Sequence, residues 1–497
     1  MFNLNILVLV PLLTLVALML PKDTTKVRVI SAIGMSVQLV LVFVLLFMYL
    51  AERKAGNIEE VLFLQDFVWY KSFNIHYVIG VDGISVAMIV LTGVIIFAGV
   101  FASWLISDLT KDFFFWLILL AMGVFGFFIT LDLFTLFLFF ELAVIPMYLL
   151  IGIWGTGPKE YSAMKLTLML MGASAVLIVG ILGIYFNSAP DGGALTFNIL
   201  EISKVNIPIA AQRMFFPMVF IGFGVISALF PFHTWSPDGH ASAPTAVSML
   251  HAGVLMKLGG YGVLKVAIYL LPGASLEMAD FFLIFVATGV FYGALSAVKQ
   301  TDLKYINAYS SVSHVGLILF ALLMLTKTSM DGAVLQMISH GLITALFFAL
   351  IGMIYGRTHT RIVGEMQGLM KVMPFLSVAY VIAGLASLGL PGLSGFAAEL
   401  PIFIGSFSRG DLYHRVITIL AVSTIVIAAV YILRVVGKML MGKIEKKEYE
   451  GLTDAVWHEK VALVTLIIAI AAIGMAPFWL SNIIMESLEP IVARLNI

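Results

Sequence analysis

Three ionisable residues stand alone inside long apolar stretches of the sequence, namely Glu141, Lys257 and Glu399. Each is separated from the nearest Asp, Glu, Lys or Arg by more than two turns of helix. A charged side chain at the centre of a bilayer costs about 3 kcal/mol or more unless it is paired or hydrated. We expect these three residues to carry protons, and an ion pair that locks two helices together is the alternative for each.

Histidines extend this set of candidate proton carriers. His314 follows Ser310 by one helical turn, and Gln336 and Thr344 flank His340 at four-residue spacing. Residues four apart lie in line along one face of a helix. A buried, hydrated row of such groups is the minimum that a proton wire requires, whereas a histidine that only joins two helices by a hydrogen bond is the alternative.

Lys257 has an energetic means of taking up and releasing a proton. At a separation of about 4 Å and an effective dielectric constant of 20, a lysine–carboxylate contact is worth about 4 kcal/mol. A lysine that gains and loses a glutamate partner is therefore able to load and release a proton. The size of this contact energy makes such a proton transfer feasible and leaves its mechanism open.

Two interrupted helices lie next to these residues. The apolar run FFPMVFIGFGVISALF stops at PFHTWSPDGHASAP, and the run TAVSMLHAGVLMKLGGYG then carries Lys257. A second interruption, LGLPGLSGF, contains Pro391 and precedes Glu399. Interrupted spans in matching halves of a membrane protein are typical of transporter ion sites. Proline kinks without a function are the alternative.

The two interruptions, around Pro231 and Pro391, lie five predicted spans apart. A five-helix unit that is repeated across an odd number of spans must be inverted. We therefore predict an all-α polytopic membrane protein with two inverted five-helix repeats. The predicted units are the N-terminal helices 1–112, the first repeat 113–270, the second repeat 279–442, and an inside loop with the C-terminal helix 443–497.

The composition is that of a membrane protein with little soluble mass. The chain of 497 residues is 61% hydrophobic and 11% charged, with a mean hydropathy of +1.08, whereas a soluble domain is about one-quarter charged. Continuous apolar runs favour helices over a barrel. The N-terminal stretch lacks a basic region and a clear cleavage site, so it is interpreted as the first span. Fourteen spans are predicted, at roughly 3–20, 29–50, 83–107, 113–131, 133–154, 163–186, 213–235, 244–270, 279–299, 303–326, 331–355, 374–408, 414–442 and 459–482.

Several classes of chemistry are excluded by what the sequence lacks. It contains no cysteine, which excludes disulfides, thiolate metal sites and iron–sulfur clusters on this chain. No nucleotide-binding loop motif is present. Basic and acidic residues balance at 28 each, so nothing suggests a nucleic-acid partner.

The basic residues of the loops predict the orientation of the chain. Loops after odd-numbered spans contain about twice as many Lys and Arg residues as loops after even-numbered spans. We therefore place the odd-numbered loops inside a bacterial plasma membrane and both termini outside, in the periplasm. Lys304 counts among the inside residues, and the segment KIEKKEYE at 443–450 is expected to be a solvated inside loop.

Four blocks resemble the antiporter-like subunits of respiratory complex I, the proton-pumping NADH:quinone oxidoreductase. They are FFELAVIPMYLLIGIWG (139–155), PFHTWSPDGHASAPTAVSMLHAGVLMKLGGYG (231–262), QTDLKYINAYSSVSHVG (300–316) and QMISHGLITALFFALIG (336–352). The resemblance extends over nearly the whole chain and includes the multisubunit Na+/H+ antiporters and membrane-bound hydrogenases. Glu399 in GFAAEL is similar to the M-type subunits, because L-type, N-type and antiporter relatives typically have lysine there.

The resemblance implies roles for residues that match the family motifs. Glu141 matches a glutamate that modulates a neighbouring lysine, and Lys257 matches the central lysine of helix 8. His314 and His340 match residues of a central hydrophilic axis. Glu399 matches the terminal residue that connects to the outside or to the next subunit.

One position departs from the family pattern. The family usually has a lysine on helix 7, seven residues before the histidine that corresponds to His233, and this chain has Ile226 there. The usual Glu–Lys pair therefore cannot form. We hypothesise that His251 on the next helix takes the place of the missing cation beside Glu141. The alternative is an unpaired and often protonated Glu141.

The resemblance also implies partners and cofactors. No cofactor is expected on this chain, and FMN, Fe–S clusters and quinone are expected on partner subunits. Neighbouring L-type and N-type subunits are expected to dock at membrane depth, and the chain would be a subunit of a translocase without redox chemistry of its own. The rival functions are a subunit of an antiporter or hydrogenase complex and a membrane scaffold that has lost transport.

Overall fold

The computed structural model describes residues 2–189 and 193–495, and these are mostly helical. Their helices are α1 (Ile6–Met19), α2 (Thr24–Lys54), α3 (Gly83–Ala102), α4 (Thr110–Ile129), α5 (Leu133–Trp154), α6 (Lys159–Phe186), α7 (Ile199–Ile202), α8 (Ile209–Ile226), α9 (Trp235–Ser242), α10 (Thr245–Ile268), α11 (Pro272–Lys299), α12 (Leu303–Leu323), α13 (Lys327–Thr358), α14 (Pro374–Ser387), α15 (Ser394–Phe407), α16 (Leu412–Leu440), α17 (Trp457–Met475) and α18 (Phe478–Leu495). Short 3₁₀ turns lie at Lys71–Phe73, Val363–Glu365, Leu369–Lys371 and Lys447–Tyr449. The predicted all-α membrane class is confirmed.

Twelve of the described helices are long and apolar enough to cross a membrane. The remaining predicted spans correspond to α1 and to the pair α14 and α15, which are apolar but shorter. The total of fourteen spans and the inverted repeats remain predictions, as do the unit boundaries and the positions of the termini.

The most deeply buried helices are α10, α12 and α13. In the most apolar stretch of each, 100%, 89% and 94% of the residues, respectively, are buried inside the chain. Peripheral helices such as α2 and α16 bury 39% and 33% of theirs. A helix that is apolar on all sides must be surrounded by other helices or by lipid, and α10, α12 and α13 are surrounded by helices.

α10 is not a regular α-helix. Two π-helical turns, His251–Leu255 and Val263–Ile268, flank a regular segment that carries Lys257. Such turns occur often at functional sites because they rotate the residues that follow them.

Both predicted interruptions are present, but the first begins earlier than expected. α8 ends at Ile226 rather than near Pro231, and Ala228 adopts a left-handed conformation with a φ of 52° before α9 starts. The sequence does not reveal this start, because the last turn before Pro231 is as apolar as the rest of the span. The second interruption separates α14 from α15 around Gly389, which has a φ of +67°.

Two elements were missed by the sequence analysis. The connection 51–82 contains an antiparallel hairpin of β1 (Leu62–Tyr70) and β2 (Ile75–Val81), in which Gln65 pairs with Ile79. The predicted last span 459–482 is instead two helices, α17 and α18, separated before Phe478. The sequence did not predict this separation, because the apolar run continues through it.

Candidate functional site: a row of buried polar side chains

Lys257 and His340 are in direct contact at the centre of the chain. The Nζ atom of Lys257 lies 2.8 Å from Nδ1 of His340 and also donates a hydrogen bond to the carbonyl oxygen of Ala252. Lys257 is fully buried and His340 is 3% exposed. The lysine thus faces an imidazole and a carbonyl rather than a carboxylate, which differs from the glutamate partner considered in the sequence analysis.

Close helix packing makes this contact possible. A Cβ atom placed on Gly341 would lie 2.5 Å from the carbonyl oxygen of Gly253. Only glycine therefore allows the backbones of α13 and α10 to approach so closely at this point. The approach brings His340, the residue before Gly341, within reach of Lys257.

The row continues from His340 to Glu399. The rings of His340 and His314 are stacked with their centroids 5.3 Å apart. Nδ1 of His314 lies 3.5 Å from Oε1 of Glu399 and 3.3 Å from Nε2 of Gln336. Four of the predicted site residues are thereby joined in the order Lys257, His340, His314 and Glu399.

Glu399 lies against the interruption between α14 and α15. It is 6% exposed, and a Cβ atom on Gly389 would come within 2.9 Å of its Oε2 atom. A hydrogen bond of 2.8 Å from Ser339 to Ser394 fixes the start of α15 against α13. The carboxylate therefore projects from the first turns of a half-helix into the row.

Several buried polar atoms in the row or next to it have no protein partner among the residues that the structure describes. They include Nε2 of His340, Oε1 of Gln336 and Nδ2 of Asn307. Buried polar groups of this kind ordinarily bond to water. The row thus has the unsatisfied donors and acceptors that a hydrated proton path requires.

Two small cavities adjoin the row on α12. One of about 20 Å³ is lined by Asn307 and Ser310, and one of about 10 Å³ is lined by His314 and Glu399. Tyr431 lines both cavities, and its hydroxyl lies 2.8 Å from that of Ser310. The larger has room for about one water molecule, so hydroxyl groups extend the row towards the start of α12, on the predicted inside.

His251 does not pair with Glu141. Its ring is fully buried and stacks on His240 and Trp235, with centroid distances of 4.1 and 5.2 Å. No ion pair joins His251 to Glu141 among the described residues. The hypothesised pair is therefore not formed, and His251 instead packs against α9, which carries both rings on which it stacks. A role of His251 in proton transfer remains a prediction.

Glu141 has no cation beside it in the described part of the chain. Its Oε1 atom is buried without a hydrogen-bond partner, although the residue as a whole is only partly buried. Ile226, at the position of the absent lysine, is fully buried. The structure thus brings Lys257, His340, His314 and Glu399 together and leaves Glu141 outside that group.

The sequence analysis missed a buried histidine and a buried lysine near this row. Both ring nitrogens of His240 are buried without a protein partner among the described residues, and the charges of Lys257 and Lys304 both act on this ring. Lys304 is 6% exposed and donates a 2.5 Å hydrogen bond to the carbonyl oxygen of Ala243. It also lines a cleft of about 380 Å³ together with Arg361. Its place next to an inside loop had suggested solvent exposure.

A buried ion pair holds the far end of α10. Lys265 contacts Asp82, and the two side chains are 9% and 4% exposed. Asp82 also caps the start of α3 through a 2.8 Å hydrogen bond from the backbone N–H of Ser85. This pair has the geometry of an ion pair that locks two helices together rather than of a proton carrier. It joins α10 to α3, and the hydrogen bond from Ser85 fixes its carboxylate.

Two further polar groups lie near the first interruption. His233 is 3% exposed and packs against Tyr292 with ring centroids 4.9 Å apart. Lys165 pairs with Asp238 at 2.7 Å and thereby fixes α9 against α6. The described residues contain no group of three or more histidine and acidic side chains arranged to hold a metal ion.

A family model described as NADH:quinone oxidoreductase/Mrp antiporter, TM, matches residues 130–428. The chain is 37% identical over 382 residues to NAD(P)H-quinone oxidoreductase chain 4-2 of Synechocystis sp.. The aligned region covers 76% of this chain and 67% of the relative. It is 33% identical over 456 residues to NADH-quinone oxidoreductase subunit M of Rickettsia conorii, covering 92% and 91%.

A solved structure has the same fold over nearly the full length. A chain of respiratory complex I from Thermus thermophilus with bound NADH superposes with a TM-score of 0.89 at 23% identity. The match covers 99% of this chain and 100% of that one.

Proposed function

Since the chain belongs to the transmembrane family shared by NADH:quinone oxidoreductase and Mrp antiporter subunits, we propose that it translocates protons in the membrane arm of an NADH:quinone oxidoreductase. The observation that carries this proposal is the contact row Lys257, His340, His314 and Glu399. It links a buried base to a carboxylate at a helix break through two imidazoles.

The row permits a balanced proton transfer. Lys257 as an ammonium donates one hydrogen to Ala252 and another to Nδ1 of His340, which must then be the unprotonated nitrogen. When Nδ1 takes up this proton, Nε2 of the same ring gives up its own towards His314, and Glu399 accepts the proton that leaves His314. Each histidine thus returns to a neutral form with one N–H, and one proton moves from the lysine to the carboxylate.

Loading of Lys257 from the predicted inside is supported by two groups of residues. Asn307, Ser310 and Tyr431 line the cavity that adjoins the row on α12. His240 lies near both Lys257 and Lys304, and Lys304 lines the larger cleft.

Coupling to redox chemistry would come from partner chains. This chain has no cysteine for an iron–sulfur cluster, and the relatives are named as chains or subunits of quinone oxidoreductases. We assign FMN, Fe–S clusters and quinone to those partners. Glu141 is partly exposed at the side of the chain with one buried oxygen unbonded. It is therefore the residue through which a neighbouring antiporter-like subunit, L-type or N-type, would influence this one.

A subunit of a Mrp-type antiporter is the second candidate, because the matching family includes both kinds of complex. The two candidates differ in driving force. An oxidoreductase subunit pumps protons when NADH is oxidised, whereas an antiporter subunit exchanges protons for sodium without any reductant.

The test is proton uptake by inside-out membrane vesicles that carry the wild-type chain or Lys257→Ala, with Lys371→Ala as the control at an exposed lysine. NADH:quinone turnover is recorded on the same vesicles, and a native gel verifies assembly. We expect Lys257→Ala to lose uptake and turnover in an assembled complex. Wild-type uptake in Lys257→Ala would refute the proposal, and uptake driven by a sodium gradient alone would favour the antiporter.

A further inference from the structure

His414 lies between two carboxylates at the start of α16. Its Nδ1 atom is 2.6 Å from Oδ2 of Asp411, and its Nε2 atom is 3.0 Å from Oδ1 of Asp280 on α11. The imidazole is 4% exposed, whereas the carboxylates are 51% and 55% exposed. A buried ring is thus held from both sides by groups that face solvent.

The chemistry of this arrangement requires an additional proton. Neutral imidazole has one N–H and one lone pair, and an ionised carboxylate offers only lone pairs. One of the two contacts would therefore place a lone pair against a lone pair unless both ring nitrogens carry hydrogen. We propose that Asp280, His414 and Asp411 form a proton-binding site, separate from the Lys257 row, that ties α11 to α16 when the proton is bound.

The Asp411 carboxylate is better able to stay ionised than to hold this proton itself. The backbone N–H of His414 donates a 3.0 Å hydrogen bond to Oδ1 of Asp411. This bond, together with the His414 ring, holds the pKa of Asp411 below its usual range. The proton therefore resides on the imidazole, which becomes a cation with two charge-assisted hydrogen bonds.

The groups around the ring do not supply a competing cation. Tyr413 packs edge-on against His414, and its hydroxyl donates a 2.7 Å hydrogen bond to the backbone carbonyl oxygen of Asp280. One turn before Asp280, Glu277 is already paired with Arg213 of α8. Among the described residues no lysine or arginine lies within ion-pair distance of either carboxylate. The imidazolium is thus the cation that offsets them.

The direction of the pH effect follows from the proton count. The clamp formed by Asp280, His414 and Asp411 has both bonds while the ring carries two N–H groups, and it loses one of them when a rise in pH removes the second proton. The clamp joins α11 and α16, the first and last helices of the second predicted repeat, on the predicted outer side. Protons that accumulate on that side would tighten it.

The test is a histidine titration of the full chain in lipid vesicles. The chain has nine histidines, so ¹⁵N-labelled histidine gives few signals, and His414→Gln identifies the signal of His414 by its loss. Asp280→Asn offers an amide that is able to donate to Nε2, which makes the neutral ring acceptable. We expect the imidazolium signal of His414 to disappear at a pH about half a unit or more lower in Asp280→Asn than in the wild-type chain.

Equal titration of His414 in the two proteins, or a ring that is neutral throughout pH 5.5–8.5, would overturn the proposal. Thermal unfolding provides a second measurement on the same preparations. The midpoint of the wild-type chain should fall more between pH 6 and pH 8 than that of Asp280→Asn. His359→Gln, at an exposed helix end, is the control, and it should retain the wild-type difference. The outcome does not depend on whether the Lys257 row conducts protons.

Discussion

Nζ of Lys257 lies 2.8 Å from Nδ1 of His340, although the two residues are 83 positions apart in the sequence. The contact pairs a fully buried lysine with an imidazole instead of a carboxylate. An ionised carboxylate would hold the ammonium in its charged form, whereas the imidazole offers a lone pair that is able to accept the proton and a second nitrogen that is able to release one.

Substituting His340 should interrupt the row. In His340→Gln the amide is able to accept a hydrogen bond from Lys257 but is unable to pass a proton onward. We expect proton uptake to fall about tenfold or more, with assembly on a native gel unchanged. His359→Gln, at an exposed position, is the matched control. Undiminished uptake in His340→Gln would remove this residue from the path.

The carboxylate at the end of the row should be required as an acid. Glu399→Gln retains the size and polarity of the side chain but does not accept a proton at physiological pH, so uptake should fall about tenfold or more. Glu399→Asp should retain part of the activity. Glu365→Gln, at an exposed glutamate, should behave like the wild-type protein. If Glu399→Gln pumps normally, Glu399 has only a structural role.

Gly389 should tolerate no side chain. An alanine there would have a positive φ and a Cβ atom 2.9 Å from Glu399. We expect Gly389→Ala to lower the free energy of unfolding by about 1 kcal/mol or more and to reduce proton uptake. Gly364→Ala is the control, since a Cβ atom at that glycine meets no atom within 4 Å. Thermal unfolding and vesicle uptake measure both effects, and equal behaviour of the two variants would contradict the prediction.

The ion pair of Lys265 and Asp82 should matter for stability. Asp82→Asn leaves a buried ammonium without its counter-ion, which typically costs about 3–5 kcal/mol. The double variant Asp82→Asn with Lys265→Met should recover most of this loss, because it removes the unpaired charge as well. Thermal unfolding of the wild-type protein, Asp82→Asn, Lys265→Met and the double variant gives the coupling energy. A double variant less stable than Asp82→Asn would contradict a purely structural pair.

A role of His251 in proton transfer stays a prediction, although its pair with Glu141 is not formed. If His251 and His240 hold a proton near Lys257, His251→Leu should lower proton uptake severalfold while preserving assembly. The stacking of the two rings at 4.1 Å motivates this expectation. Normal pumping in His251→Leu would show that the residue does not replace the helix 7 cation.

Much of the fold follows from local signals in the sequence. Apolar runs separated by charged loops predict the long helices, and proline with glycine predicts the interruption next to Glu399. The separation of α17 from α18 did not follow, because Pro477 sits in an apolar run that continues through Trp479. The hairpin was missed because its strands are rich in aromatic and apolar residues, which are also common in membrane helices.

The sequence predicts which residues belong to the candidate site, but it does not predict which of them are in contact. Isolated charges in apolar stretches identify Lys257 and Glu399, because burial of a charge is costly wherever it occurs. Which side chains meet depends on helix packing over long sequence distances. No residue pattern in the sequence indicates that His251 packs against His240 rather than beside Glu141.

Lys257, His340 and His314 each lie near the middle of their helices, α10, α13 and α12, and Glu399 lies in the second turn of α15, next to the interruption of its span. A proton that passes from Lys257 to Glu399 therefore travels across the bundle rather than from one face to the other. Such sideways movement covers little electrical distance in the transmembrane field. Nearly all of the work against the voltage would be done in the two parts of the proton path that connect the row to the two membrane faces. Opening and closing of these two parts, rather than transfer along the row, would then set how steeply the pumping rate depends on membrane voltage.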